Sequence, residues 1–261
     1  MNPADIKTLG DQLYDALRQR RPIPPPRQSF PAMTTKDAYT VSMHFLERRK
    51  ADGEVLVGHK IGLTSRAVQE QLGVREPDFG NLTDAMRYPN RSEVPVSSTL
   101  ISPKIEGEIA FVLAKPLSGP GVTPEQVLDA TDYICPCFEI VDSRVRDWDI
   151  RIADTVCDNA SSGLFVLGDG RADPRTLDLE SVTLEVRSGS ELLAEGVGAA
   201  ALGSPLNAVA WLANALATQG IELGVGEIVL SGSLVPFLPA EPGRELSVVM
   251  PDIGEASIHL V

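Results

Sequence analysis

The run Ile105-Glu106-Gly107-Glu108-Ile109-Ala110-Phe111-Val112-Leu113 constrains this chain most. Side chains alternate along a β-strand, so Glu106 and Glu108 share a face with Ala110 and Val112, while Ile105, Ile109 and Phe111 share the other. A strand apolar on both faces belongs in the interior. Two carboxylates are then held side by side out of water. Near residue 139 the pattern repeats, with Cys137, Glu139 and Val141 on one face and Phe138 and Ile140 on the other. The fold must therefore accommodate three carboxylates on apolar strands.

Ionised carboxylates in a low dielectric repel one another and lose hydration, at a cost on the order of several kcal/mol unless a proton, a basic partner or a metal offsets it. A divalent cation answers several carboxylates at once. Three glutamates, with water and substrate completing the shell, suit Mg²⁺ or Mn²⁺ better than zinc or copper. A salt-bridged core cluster, or an edge strand carrying charge, accounts for the same residues equally well. The pattern alone leaves these readings open.

Around this centre the chain divides in two. Ile6, Leu9, Leu13 and Leu17 recur at helical spacing behind Asn2 and Pro3, and the run Pro22-Ile23-Pro24-Pro25-Pro26 ends that helix. A second helix is expected from Thr34 or Thr35 to near Gly53, with Ala38, Val41 and Phe45 on one face. Residues 1–54 thus form an N-terminal helical region. From residue 55 the texture changes to short apolar runs broken by glycine and proline, which predicts a β-rich main domain over 55–261. Thr123-Pro124-Glu125-Gln126 opens a helix leading toward Tyr133. Val182, Leu184 and Val186 form a strand turned back at Ser188-Gly189-Ser190. Pro205 to Thr218 is helical, and Ile228–Leu230, Leu246–Met250 and Ala256–Leu260 are the closing set of strands.

Several functions are set aside by composition. A formal net charge of −13 is at odds with a nucleic-acid surface, which needs clustered Lys and Arg. No apolar run is long enough to span a membrane and Met1 to Arg20 lacks the order of a signal peptide, so a cytoplasmic protein is expected. Cys135, Cys137 and Cys157 make neither a disulfide framework nor a zinc site, because His44, His59 and His259 are scattered. Gly224-Val225-Gly226 has no following helix and is a poor dinucleotide loop.

The residues resemble, over nearly the whole chain, the 2-oxopent-4-enoate (2-hydroxypenta-2,4-dienoate) hydratase and 4-oxalocrotonate decarboxylase family of the fumarylacetoacetase superfamily. The resemblance is carried by Gly58-His59-Lys60-Ile61-Gly62-Leu63-Thr64-Ser65, Gln71-Leu72-Gly73-Val74, Pro77-Asp78-Phe79-Gly80 and Pro103-Lys104-Ile105-Glu106-Gly107-Glu108. It continues through Glu139-Ile140-Val141-Asp142-Ser143-Arg144, Arg146-Asp147-Trp148, Asp158-Asn159-Ala160-Ser161-Ser162 and Pro205-Leu206-Asn207-Ala208-Val209-Ala210-Trp211-Leu212.

The resemblance implies an α+β fold: a mixed, β-rich core of the fumarylacetoacetase C-terminal type with peripheral helices. It also implies Mg²⁺ or Mn²⁺ on Glu106, Glu108 and Glu139, and a homo-oligomer acting on a small 2-oxoacid or dienol. The activity it implies is hydration of a 2-hydroxy-2,4-dienoate to a 4-hydroxy-2-oxoacid in meta-cleavage catabolism of aromatic compounds. Decarboxylation of 4-oxalocrotonate is the sister activity. The wording around Asp78 leans toward the hydratase, because decarboxylases tend to lack an acid there. A complex with a pathway aldolase or decarboxylase is a further implied partner, and an inactive scaffold subunit of such a complex is the non-enzymatic alternative.

By the same resemblance Lys60 contacts the pyruvoyl end of the substrate as acid or electrostatic partner and Asp78 is a candidate general base; from residues alone they would be a surface lysine and a turn residue. Ser161 is a candidate hydrogen-bond donor to the substrate carboxylate, with a loop of self-capping turns around Asp158 and Asn159 as the plain alternative. Asp142 and Arg144 are expected to form a salt bridge, structural rather than one that supports the metal ligands.

Overall fold

The computed structural model describes residues 1–65, 69, 74 and 76–261. Gln71-Leu72-Gly73 lies outside the described residues.

The chain opens with helix α1 (Pro3–Gln19), started by the Asn2 side chain accepting from the Asp5 N–H at 2.8 Å and by proline in the first turn. The proline run turns into a single-turn helix, α2 (Pro26–Ser29), before α3 (Thr35–Ala51), which begins with a reciprocal Thr34–Asp37 capping box. Leu9 and Leu13 of α1 and Ala38, Val41 and Phe45 of α3 share one small core with Val156 and Cys157 of helix α6 (Ile152–Cys157), so the N-terminal helices are anchored to the later chain. Among the described residues the remaining α-helices are α4 (Val96–Thr99), α5 (Pro124–Ala130) and α7 (Pro205–Ala217). Helix α5 ends earlier than its cap suggests, because a strand takes over at Thr131 and Tyr133 already belongs to it. Among the described residues, no helix is long and apolar enough to cross a membrane.

The strands are β1 (Leu56–Gly62), β2 (Asp78–Thr83), β3 (Arg87–Tyr88), β4 (Ser92–Val94), β5 (Lys104–Leu113), β6 (Thr131–Val141) and β7 (Ser162–Leu167). They continue as β8 (Thr183–Ser188), β9 (Glu191–Val197), β10 (Ile228–Leu230), β11 (Leu238–Pro239), β12 (Glu245–Met250) and β13 (Gly254–Leu260). One sheet runs β2-β1-β10-β5-β6-β7-β3, with β11 added beside β5; the other runs β4-β13-β12-β8-β9. The three C-terminal strands are therefore divided: β10 is inserted between β1 and β5, while β12 and β13 build the second sheet. The β1/β10 and β3/β7 pairs are parallel in an otherwise antiparallel larger sheet. This is the mixed, β-rich α+β core with outer helices that the sequence implies.

Alternation sets the two faces of the larger sheet. Ile105, Ile109, Phe111, Phe138 and Ile140 face the main core, shared with Leu184, Val186 and Val248 of the second sheet and Val209 and Leu212 of α7. Gly107 lies where the two sheets come closest, since a Cβ there would stand 2.9 Å from Leu184 and 3.2 Å from Val186. The other face carries a smaller cluster of Leu82, Ala110, Cys135, Cys137, Phe165 and Leu230. The sheet curls about this second face, so that β2 and β7, far apart in strand order, come into contact.

Candidate active site

Strand pairing places the carboxylates. In the β5/β6 ladder Glu106 sits opposite Glu139 and Glu108 opposite Cys137, so all three glutamates rise from the concave face beyond the small apolar cluster. One oxygen from each lies within 4.8 Å of the others, and among the described residues no other group of three potential metal ligands comes together. Glu108 and Glu139 are buried; Glu106 is partly exposed and lines a cavity of about 330 Å³ with Gly62, Leu63, Thr64, Ser233 and Phe237. A larger cavity of about 870 Å³ is bounded by Tyr39, Phe79 and Trp211, and Glu106, Glu108 and Glu139 do not line it. Chemistry rather than size selects the smaller one.

Lys60 is interior, contrary to the surface reading of a lone lysine. It lies within β1, next to β10, and its Nζ is 3.3 Å from Glu139 Oε1. Asp78 is likewise no loop residue: it is the buried first residue of β2, directly opposite Gly62 of β1. Gly62 is the part the sequence did not flag. A Cβ on it would stand 2.2 Å from Asp78 Oδ1 and 3.3 Å from Lys60 Nζ, so its bare backbone makes the room in which acid and ammonium approach. The available signal was a glycine inside a strand, two residues from a lysine on the same face.

The electrostatics are those of a site short of positive charge. Burial pushes Glu106, Glu108 and Glu139 above the ordinary carboxylate range; repulsion from Glu139 adds to the rise of the first two, and Lys60 opposes it for all three. Burial also raises Asp78, against the pull of Lys60. For Lys60 burial works to lower the pKa, but Glu139, Glu106, Asp78 and Glu108 outweigh it and hold the ammonium charged. Glu108 Oε2 accepts from the Gly232 N–H at 2.8 Å. Glu108 Oε1, both oxygens of Glu139 and Asp78 Oδ1 are buried with no hydrogen-bond partner among the described residues. The Lys60–Glu139 approach is thus an ion pair without hydrogen-bond alignment. Orphaned carboxylate oxygens around one point fit a hard divalent cation, the compensation that a single ammonium cannot supply.

The Asp158–Ser162 segment is a buried turn rather than a solvated loop. Arg144 donates from Nε to Asp158 Oδ1 at 2.5 Å and from Nη1 to the Ser162 carbonyl at 2.7 Å. Arg144 is therefore paired with Asp158, not with Asp142 as expected. Asp142 instead accepts from the backbone N–H groups of Ile101 and Ser102, because β6 ends beside that loop. Ser161 is buried, with its hydroxyl 3.3 Å from Thr155 Oγ1 of α6 and 3.5 Å from Asp158 Oδ2, and its contacts are with α6 and this turn rather than with the glutamates.

The residues of rival chemistries are not assembled. Burial pushes the Cys135 thiol up to about 12 and raises Cys137 and Cys157 as well, so none is a ready thiolate. His59 points to the opposite face of β1 from Lys60, and burial brings its pKa down to about 4.

Residues 56–261 match the sequence model of the fumarylacetoacetate (FAA) hydrolase C-terminal family, and the chain belongs to that family. It is 49% identical over 255 residues to a 2-hydroxyhexa-2,4-dienoate hydratase of Comamonas testosteroni, covering 97% of each chain. To a 2-hydroxypent-2,4-dienoate hydratase of Pseudomonas putida it is 54% identical over 221 residues, covering 85% of this chain and 100% of that one. Its structure superimposes on the 4-oxalocrotonate decarboxylase of Pseudomonas putida G7, complexed with magnesium and adipate, with a TM-score of 0.97 at 35% identity, covering 100% of this chain and 99% of that one.

Proposed function

We propose that this chain is a divalent-metal-dependent hydro-lyase that adds water to a 2-hydroxy-2,4-dienoate, giving a 4-hydroxy-2-oxoacid in the meta-cleavage catabolism of aromatic compounds. The observation that carries this reading is the set of partnerless carboxylate oxygens on Glu108 and Glu139, grouped with Glu106 beside a charged Lys60. Identities of 49% and 54% to named hydratases, against 35% to a decarboxylase, support hydration over loss of CO₂.

Glu106, Glu108 and Glu139 would hold the ion, with Mg²⁺ or Mn²⁺ favoured by their all-oxygen donor set. Bound there, it would supply Lewis acidity that makes the 2-oxoacid end of the substrate an electron sink. Lys60 stays positive and stabilises negative charge developing on the 2-oxygen. Loss of the enol proton with proton delivery to C5 gives the 2-oxo-3-enoate; water then adds its oxygen to C4 and a proton to C3. Asp78 suits the transfers, because burial raises its pKa toward working pH and Gly62 leaves it room beside Lys60. Ser161 is assigned the substrate carboxylate: both contacts of its hydroxyl are long, so its proton is free to turn toward an incoming anion.

Residues 1–54 are part of the same proposal as a helical appendage to a catalytic unit over 55–261, tied to it through α6. A cytoplasmic homo-oligomer, alone or with a pathway aldolase or decarboxylase, completes the reading.

The test is to incubate the protein and Mg²⁺ with freshly generated 2-hydroxypenta-2,4-dienoate and, separately, with 2-oxohex-3-enedioate. Formation of 4-hydroxy-2-oxopentanoate from the first, abolished by a chelator, is the expected result. CO₂ from the second without hydration of the first would assign the decarboxylase instead, and no metal-dependent turnover of either would leave a scaffold subunit.

A further inference from the structure

Strand β2, which carries Asp78, is the terminal strand of the larger sheet, with β1 on one side and, among the described residues, no strand on the other. In an antiparallel ladder a residue directs its N–H and C=O to the same side, and at Asn81 both point away from β1. They are met by a single side chain. Asn159 Oδ1 accepts from the Asn81 N–H at 2.7 Å, and Asn159 Nδ2 donates to the Asn81 C=O at 2.9 Å. An amide side chain offers one donor group and one acceptor, as a peptide unit does, so Asn159 does for β2 what a neighbouring strand would do.

The turn that presents Asn159 is fixed. Asn159, Ala160 and Ser161 have φ values of 55°, 50° and 53°, left-handed conformations that ordinary residues keep only where their surroundings impose them. Here Arg144 holds Asp158 at one end and the Ser162 carbonyl at the other. From Ser162 the chain becomes β7, laddered onto β6, where Phe165 sits opposite Glu139. Gly80, across β1 from Lys60, leaves room for the approach, since a Cβ there would stand 2.4 Å from the Asn159 carbonyl oxygen. Asn159 therefore joins the two strands that curling brings together, one bearing Asp78 and the other laddered to the strand of Glu139.

Resting on the hydro-lyase reading above, we propose that Asn159 is a positioning residue: it closes the seam between β2 and β7 and so sets Asp78 and Lys60 in register with the three glutamates. It touches none of the reacting groups itself.

Three variants test this, with kinetics on whichever of the two substrates the wild type turns over. Asn159→Ala should lower kcat about 10²-fold, the size expected for a displacement of about 1 Å in a catalytic group, with KM and the Mg²⁺ dissociation constant from calorimetry within about threefold of wild type. Asn159→Asp keeps the acceptor and loses the donor, so its loss should be intermediate; it also serves if the alanine variant does not fold. Asn81→Ala keeps both backbone bonds and should stay within about threefold in kcat. In an Asp78→Asn background, Asn159→Ala should cost little more. Hydrogen exchange supplies a readout independent of turnover: amides of β2 should exchange faster in Asn159→Ala while β5 and β6 remain protected. The proposal is overturned by unchanged β2 exchange, by metal affinity falling in step with kcat, by additive losses in the double variant, or by an Asn81→Ala loss equal to that of Asn159→Ala. If neither substrate is turned over, the functional reading fails and the exchange experiment decides the positioning claim by itself.

Discussion

Strands β5 and β6 carry two opposite designs on their two faces. On one, Ile105, Ile109, Phe111, Phe138 and Ile140 pack into the main core, and every side chain is satisfied by its neighbours. On the other, Glu106, Glu108 and Glu139 are gathered, and Glu108 Oε1 and both Glu139 oxygens find no hydrogen-bond partner among the described residues. The backbone is the same for both, so the first face can hold the second rigid against its own repulsion. Stability and chemistry are separated by the pleat, one residue apart.

That separation can be broken from either side. Glu108→Gln should reduce metal-dependent turnover about 10³- to 10⁴-fold, since it removes a ligand charge worth several kcal/mol of stabilisation (about that by analogy with other metal sites). In chelator, the thermal midpoint of Glu108→Gln should equal or exceed that of wild type, because one buried repelling charge is gone; a lower midpoint would show the glutamate to be structural. Phe138→Ala should do the reverse, costing about 3–5 kcal/mol in a urea titration, with Mg²⁺ affinity of the folded fraction unchanged.

Asp78→Asn should lower kcat about 10²-fold at constant Mg²⁺ affinity; equal loss of metal would place Asp78 among the ligands. The pH dependence of the metal-free protein sharpens the comparison further. The three glutamates have folded-state pKa values raised above 4.5, so the stability they contribute is present below 4.5 and lost as pH rises through those raised values, about 8 for Glu106. Melting curves in chelator should fall across that window, and saturating Mg²⁺ should flatten the slope. The smallest effect is expected from Ser161→Ala: KM for the dienoate should rise about tenfold, the lower end for a hydrogen bond to a charged group, with kcat within about twofold.

Much of the site was legible in the strand pattern. Period two placed Glu106 with Glu108 and Glu139 with Cys137, because alternation in a strand is a local property. What the pattern could not give was that Glu106 and Glu139 sit opposite one another, since ladder register is a contact between residues far apart in sequence. The capped helices α1, α3 and α5 were visible for the same local reason, and the end of α5 was not, because Thr131 is claimed by the sheet. Arg144 was matched to the acid nearest in sequence; the fold pairs it with Asp158, carried in by a left-handed turn that local preference disfavours.

By itself the sequence determined that three carboxylates would stand on apolar strands, and its resemblance pointed to the chemistry proposed for them. Only the tertiary structure decided that Lys60 is buried against Glu139, that Gly62 makes space for Asp78, and that Asn159 completes the edge of β2. The reason is physical. Which face a side chain takes follows from its own backbone, whereas whether a charge finds a partner depends on which distant strands the curl of the sheet brings together.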